Sequence, residues 1–144
     1  MNNTILFALI IAGVILGLLS FNNAEKSTVT KFYYGGYGDT TVAYLGGKVY
    51  ERCRLKNCKV KLHPLKDVII HYRDGGLLGK TDGTGYFGFF FGGNRFYNLD
   101  FSKPRYQSLI VNNYFADQDQ GSSIEIILEL GEGANQYELP KHER

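Results

Sequence analysis

Two cysteines, three histidines and one glycine-rich turn are the residues whose types and spacing could do chemistry in this chain. Cys53 and Cys58 have four residues between them, and in an oxidising compartment the default is a disulfide closing the basic loop Arg54-Leu55-Lys56-Asn57. So short a loop gains about 2 kcal/mol or less of chain entropy, so its role would be local shape. In a reducing compartment the same residues are two free thiols. A metal centre would need more ligands than two thiolates and a distant His63 obviously supply.

The histidines, His63, His71 and His142, are scattered rather than spaced as ligands along one strand. His71 could serve as a base, but no serine or cysteine nucleophile is identifiable beside it. The run Gly83-Thr84-Gly85-Tyr86-Phe87-Gly88 fits G-x-G-x-x-G in letters only, since β-forming aromatics follow where a dinucleotide fingerprint must open a helix. Asp82 has no neighbouring carboxylate to help supply the six to eight oxygens calcium takes. Asp82, Gly83 and Gly85 therefore read as a structural turn, with the Asp82 carboxylate accepting backbone N–H groups two residues on. No catalytic residue, metal set or cofactor-binding residue is assigned, and the chain is expected to be non-enzymatic.

Charge points to binding surfaces. The net charge of +2 is too small to imply nucleic acid. Yet Lys48, Arg52, Arg54, Lys56, Lys59, Lys61 and Lys66 face a single acid, Glu51, over their stretch, whereas residues 117–138 hold six acids and no base. A molecule with poles is expected. The candidate partner-binding residues are Arg52, Arg54, Lys56, Lys59 and Lys61, together with Tyr33, Tyr34 and Tyr37 of a Tyr- and Gly-rich lead-in. A protein partner, in an envelope complex or through self-association, is the first expectation; a polyanion or a carbohydrate stacked on the tyrosines is the alternative.

The elements that must position these residues are strands. Ten Phe, eleven Tyr and eighteen Gly with three Pro mix strand formers with turn formers. Val60 and Leu62 alternate with Lys59 and Lys61; Val68, Ile70 and Tyr72 alternate with Ile69, His71 and Arg73; and Ile124, Ile126, Leu128 and Leu130 alternate with Glu125, Ile127 and Glu129. With 47–52, 78–81, 86–91, 96–101 and 106–111, about eight short strands are expected, joined at 74–76 and 82–85 by hairpin-like turns. The fold class expected is an all-β sandwich or small barrel.

Residues 5–19 carry no charge and no polar side chain, the mark of a signal peptide or membrane anchor. Cleavage would fall after Ala24, where Asn22 fits the A-x-A pattern poorly. Uncleaved, the run extended to Phe21 makes about 25 Å of helix, enough for a thin bilayer. Lys26 and Lys31 after the run weakly favour a cytoplasmic C-terminus, but an extracytoplasmic location is the leading expectation. The divisions are 1–24 signal or anchor, 25–45 linker or extra edge strand, 46–130 β-sandwich, and 131–144 polar tail.

Pro64-Leu65-Lys66-Asp67-Val68-Ile69-Ile70, followed by Gly79-Lys80-Thr81-Asp82-Gly83-Thr84-Gly85-Tyr86-Phe87-Gly88-Phe89, resembles the carboxypeptidase regulatory-like family of transthyretin-type sandwiches. Gly47-Lys48-Val49 looks like that family's first strand, and Phe101 with Tyr106 like its later aromatic pair. The resemblance spans about 46–130 and implies a Greek-key sandwich of seven to eight strands, here behind an N-terminal hydrophobic helix. It implies nothing specific about function. Two departures stand out: the Cys-bearing basic insertion 52–61, and Arg105 where a glycine is common. The hydroxyisourate hydrolases of related fold end in a Tyr-Arg-Gly-Ser signature that is absent here, and no Tyr/His iron set of the intradiol dioxygenase kind is found. The expectation is an extracytoplasmic binding or scaffolding module, such as an accessory subunit of an envelope complex. The alternatives are a self-assembling surface or filament subunit and a hydrolase with an unrecognised site.

Overall fold

The computed structural model describes residues 25–35, 42–118 and 120–141. The candidate anchor 1–24, Tyr37 and His142 lie outside the described residues. Among the described residues no helix is long and apolar enough to cross a membrane.

Among the described residues ten strands form two five-stranded sheets. They are β1 (Thr28–Tyr34), β2 (Val42–Arg52), β3 (Leu62–Pro64), β4 (Ile69–Tyr72), β5 (Leu77–Lys80), β6 (Tyr86–Gly92), β7 (Arg95–Ser102), β8 (Ser108–Ala116), β9 (Ser122–Ile127) and β10 (Ala134–Glu138). The first sheet runs β1-β9-β2-β3, with β6 also pairing β2 along its N-terminal half; the second runs β10-β8-β7-β4-β5. Both sheets are mixed, because β2 lies parallel to β9 and β8 parallel to β10.

Period-two alternation explains the layers. Ala43, Leu45 and Val49 of β2, Phe87 and Phe91 of β6, and Ile124 and Ile126 of β9 point inward from the first sheet. Ile70, Leu99, Phe101, Leu109, Val111 and Tyr114 meet them from the second. Aromatic rings bridge the layers: Phe87 to Phe101 at 5.4 Å and Phe91 to Tyr114 at 5.3 Å between centroids. Each fully buried Phe of this kind contributes about 2–3 kcal/mol by leaving water. Gly47 permits the close parallel pairing of β2 with β9, since a Cβ there would sit 2.3 Å from the Ile124 carbonyl oxygen.

The motif carrying the family resemblance is explained by structure alone. Thr81 is buried; its Oγ1 accepts the Val68 N–H at 2.9 Å and donates to the Leu65 carbonyl at 2.7 Å. The Asp82 carboxylate accepts the Thr84 N–H at 2.8 Å and the Tyr86 N–H at 3.0 Å. Those bonds and the Thr84 hydroxyl hold its pKa below the usual carboxylate range. Gly85 takes φ +73°, and its carbonyl accepts the Val49 N–H at 2.9 Å, tying the turn to β2.

Several sequence expectations need correction. The 82–85 turn is no hairpin: it crosses from β5 in the second sheet to β6 in the first, whereas 74–76 does join the antiparallel pair β4 and β5. Residues 58–61 form no strand, and Val60 is 56% exposed, because the disulfide loop holds this stretch away from the sheet until Leu62. Residues 134–138 are no loose tail but strand β10, hydrogen-bonded parallel to β8. The lead-in supplies edge strand β1 and the start of β2, so with β1 and β10 added the described residues hold ten strands where about eight were expected.

Candidate functional site

Two surfaces gather the residues singled out in the sequence. The first is the loop closed by the Cys53–Cys58 disulfide. It leaves the end of β2 and returns as β3, and its neck is closed by the Cys53 N–H donating to the Lys61 carbonyl at 2.9 Å. Glu129, just past β9, anchors it. Arg52 Nε donates to Glu129 Oε1 at 2.7 Å, and an Arg54 guanidinium nitrogen to Oε2 at 3.2 Å. The Glu129 N–H donates to Ser27 Oγ at 2.9 Å, and the Glu25 carboxylate lies 3.6 Å from Arg52. A carboxylate of the acidic stretch is thus buried beneath two arginines of the basic stretch. The expected separation into poles is partly cancelled within one molecule.

Beyond this clamp, Leu55, Lys56, Lys59, Val60 and Lys61 are exposed, and the three lysines make no ion pair among the described residues. An open groove of about 980 Å³ lies between the loop and the start of β1, lined by Glu25, Thr30, Arg52, Arg54, Lys56 and Lys61 among others. His63 is not distant from the cysteines, contrary to the expectation from the sequence. The fold brings a ring nitrogen within 4.8 Å of both sulfurs, because β3 pairs back on β2 with His63 opposite Glu51. With the sulfurs bonded to each other, the three side chains offer no pair of thiolates to a metal.

The second surface is a groove of about 570 Å³ on the outer face of the first sheet. Tyr33 of β1, Tyr44 and Tyr50 of β2, and Tyr86 of β6 surround it, with Lys48, Ser123 and Glu125 as its polar groups. Glycines make the floor. The Tyr44 ring lies flat along the sheet because Gly46 and Gly88 have no side chain: a Cβ on Gly46 would sit 2.9 Å from the ring, and one on Gly88 2.4 Å from the phenol oxygen. The Tyr44 and Tyr86 hydroxyls are hydrogen-bonded to each other. That bond, then burial, pushes the Tyr44 pKa up to about 12. Lys31 pairs with Glu125 at 3.0 Å on the rim.

The other candidates do not converge. Tyr34 turns from the groove and meets Phe32 edge-on at 4.9 Å. His63 lies on β3 in the first sheet and His71 on β4 in the second. His71 stands opposite Asp100, whose carboxyl burial pushes above the usual range while His71 and Arg73 oppose the shift. Reading the sequence missed Tyr50, Tyr86, Lys48, Ser123 and Glu125 as groove residues. Their common outward parity was legible, but not that β1, β9, β2 and β6 lie side by side. No protein-family model matches this chain, and no curated protein matches it.

Proposed function

We propose that the chain is a non-enzymatic, extracytoplasmic binding module that takes a carbohydrate in the tyrosine-lined groove. The observation that carries this reading is the glycine floor. Gly46 and Gly88 let Tyr44 present a ring face beside Tyr33, Tyr50 and Tyr86, with Lys48, Ser123 and Glu125 lining the same groove. A sugar offers both an apolar face for the aromatic rings and hydroxyls for the polar rim. The Cys53–Cys58 disulfide supports an oxidising, extracytoplasmic setting, and the apolar residues 5–19 supply export or anchoring.

A carboxypeptidase regulatory-like, transthyretin-type sandwich is the fold reading that goes with it. Its support is the motif at 64–89 and the strand orders β6-β2-β9 and β5-β4-β7-β8, with chain crossings between sheets after β3, β5, β6, β8 and β9.

The test is a glycan panel that includes cell-wall fragments, followed by calorimetry on the hits. Gly88→Ala displaces the Tyr44 ring at an exposed site, so binding is expected to fall at least about tenfold, the effect of losing roughly 1.4 kcal/mol of stacking. Tyr33→Ala should act in the same direction. Absence of any hit, or hits indifferent to both substitutions, would refute the assignment.

A further inference from the structure

The chain enters the sandwich at the end that carries the disulfide loop. Ser27 is fixed there, donating through Oγ to the Gln107 carbonyl at 2.9 Å and accepting the Glu129 N–H at 2.9 Å. Glu25 beside it lies against Arg52 and lines the groove under the loop. The apolar run ends at Leu19, and the seven residues from Ser20 to Lys26 span at most roughly 25 Å when fully extended. A bilayer holding residues 5–19 therefore lies within that reach of this end of the sandwich. The opposite end, where β6 turns into β7, points away from the tether.

The composition of the loop suits such a neighbour. Leu55 is 78% exposed and Val60 56%, and they are interleaved with Lys56, Lys59 and Lys61. The acids at this end are largely engaged already: Glu25 and Glu129 by the arginines, Asp67 by Lys66 and Lys80, and Glu51 by the Tyr106 hydroxyl. That leaves Glu132, and Asp82 whose carboxylate is held by the N–H groups and hydroxyl of its own turn, against the three lysines. Apolar tips between uncompensated lysines on a cross-linked loop match the interface between acyl chains and anionic headgroups.

We propose that the Cys53–Cys58 loop is a membrane-contact site, with Leu55 and Val60 at the acyl boundary and Lys56, Lys59 and Lys61 on lipid phosphates. This rests on the anchor reading of residues 1–24 and is independent of the carbohydrate groove. Contact at this end leaves the outer face of the first sheet, with its tyrosines, turned sideways to the membrane and open to a ligand.

The chain contains no tryptophan, so Leu55→Trp and, at the far end, Phe96→Trp each introduce a single reporter. The full chain is reconstituted into vesicles of phosphatidylglycerol and phosphatidylcholine with brominated acyl chains. Leu55→Trp should be blue-shifted and quenched and Phe96→Trp should not. Lys56→Gln, Lys59→Gln and Lys61→Gln together should remove the quenching, as should high salt or pure phosphatidylcholine. Circular dichroism of each variant verifies folding.

An unquenched Leu55→Trp in protein that resists alkaline carbonate extraction overturns the contact while leaving the anchor intact. Equal quenching of the two reporters, or quenching indifferent to charge, overturns it as well. A Leu55→Trp that responds to soluble heparin but not to vesicles makes the loop a polyanion site instead. Release by carbonate with an N-terminus at Glu25 removes the anchor, and the proposal with it.

Discussion

Replacing Glu129 by alanine deletes a carboxylate that is 1% exposed and holds Arg52 at 2.7 Å and Arg54 at 3.2 Å. Its side chain cannot be rescued by water, but the two guanidinium groups can, since Arg52 and Arg54 are 41% and 55% exposed. The loss is therefore smaller than the 3–5 kcal/mol of a fully buried pair broken on one side. Two charge-assisted bonds, each screened to about 1 kcal/mol by that exposure, give about 2 kcal/mol for Glu129→Ala. For a domain of this size that lowers Tm by about 8 °C. Arg52→Gln should cost more than Arg54→Gln, in keeping with its shorter bond, and each should cost about half of the total. Thermal and urea unfolding under non-reducing conditions measure all three. A double-mutant cycle between Glu129→Ala and Arg52→Gln should return a coupling near 1 kcal/mol. A Glu129→Ala loss below about 0.5 kcal/mol, within the range of an ordinary surface change, would show that the clamp does not hold the loop.

Two further outcomes follow from the geometry. Changing Cys53 and Cys58 together to serine opens a loop of sequence separation 5. It should cost about 2 kcal/mol and leave the domain folded, while trypsin cleavage at exposed Lys56 accelerates; collapse of the fold in circular dichroism would contradict a purely local role. Asp100 has its pKa raised, chiefly by burial. A carboxyl whose folded pKa lies above its unfolded value contributes stability at acid pH that is lost as pH rises through the folded value. Asp100→Asn should thus raise Tm at neutral pH, with the gain shrinking as pH falls through the raised folded value and gone once it reaches the ordinary aspartate range; a pH-independent gain would refute the assignment.

Some parts of this fold are readable one strand at a time. The inward set Val68 and Ile70, the set Ile124, Ile126 and Leu128, and the turn at Asp82 all follow from local rules, because side-chain alternation and turn chemistry involve residues only a few positions apart. Where a local pattern competes with a longer-range constraint it misleads. Lys59-Val60-Lys61-Leu62 alternates as a strand should, yet the disulfide keeps Val60 in solvent. Glu129 alternates outward as a solvated acid should, yet Arg52, Arg54 and Ser27 close over it. β10 has few apolar residues to announce it and gains its place by backbone pairing to β8.

By itself the amino-acid sequence determined the β class, the turn at Asp82, the proximity of Cys53 to Cys58 and the apolar residues 5–19, since each depends on neighbours in the chain. The tertiary structure alone decided which strands are neighbours. It therefore decided that tyrosines from β1, β2 and β6 share one glycine-floored groove, and that Glu25, Glu129 and the basic loop meet at one end. The reason is that period-two alternation specifies the face on which a side chain stands, whereas the order of strands across a sheet is set by long-range pairing that no local period encodes.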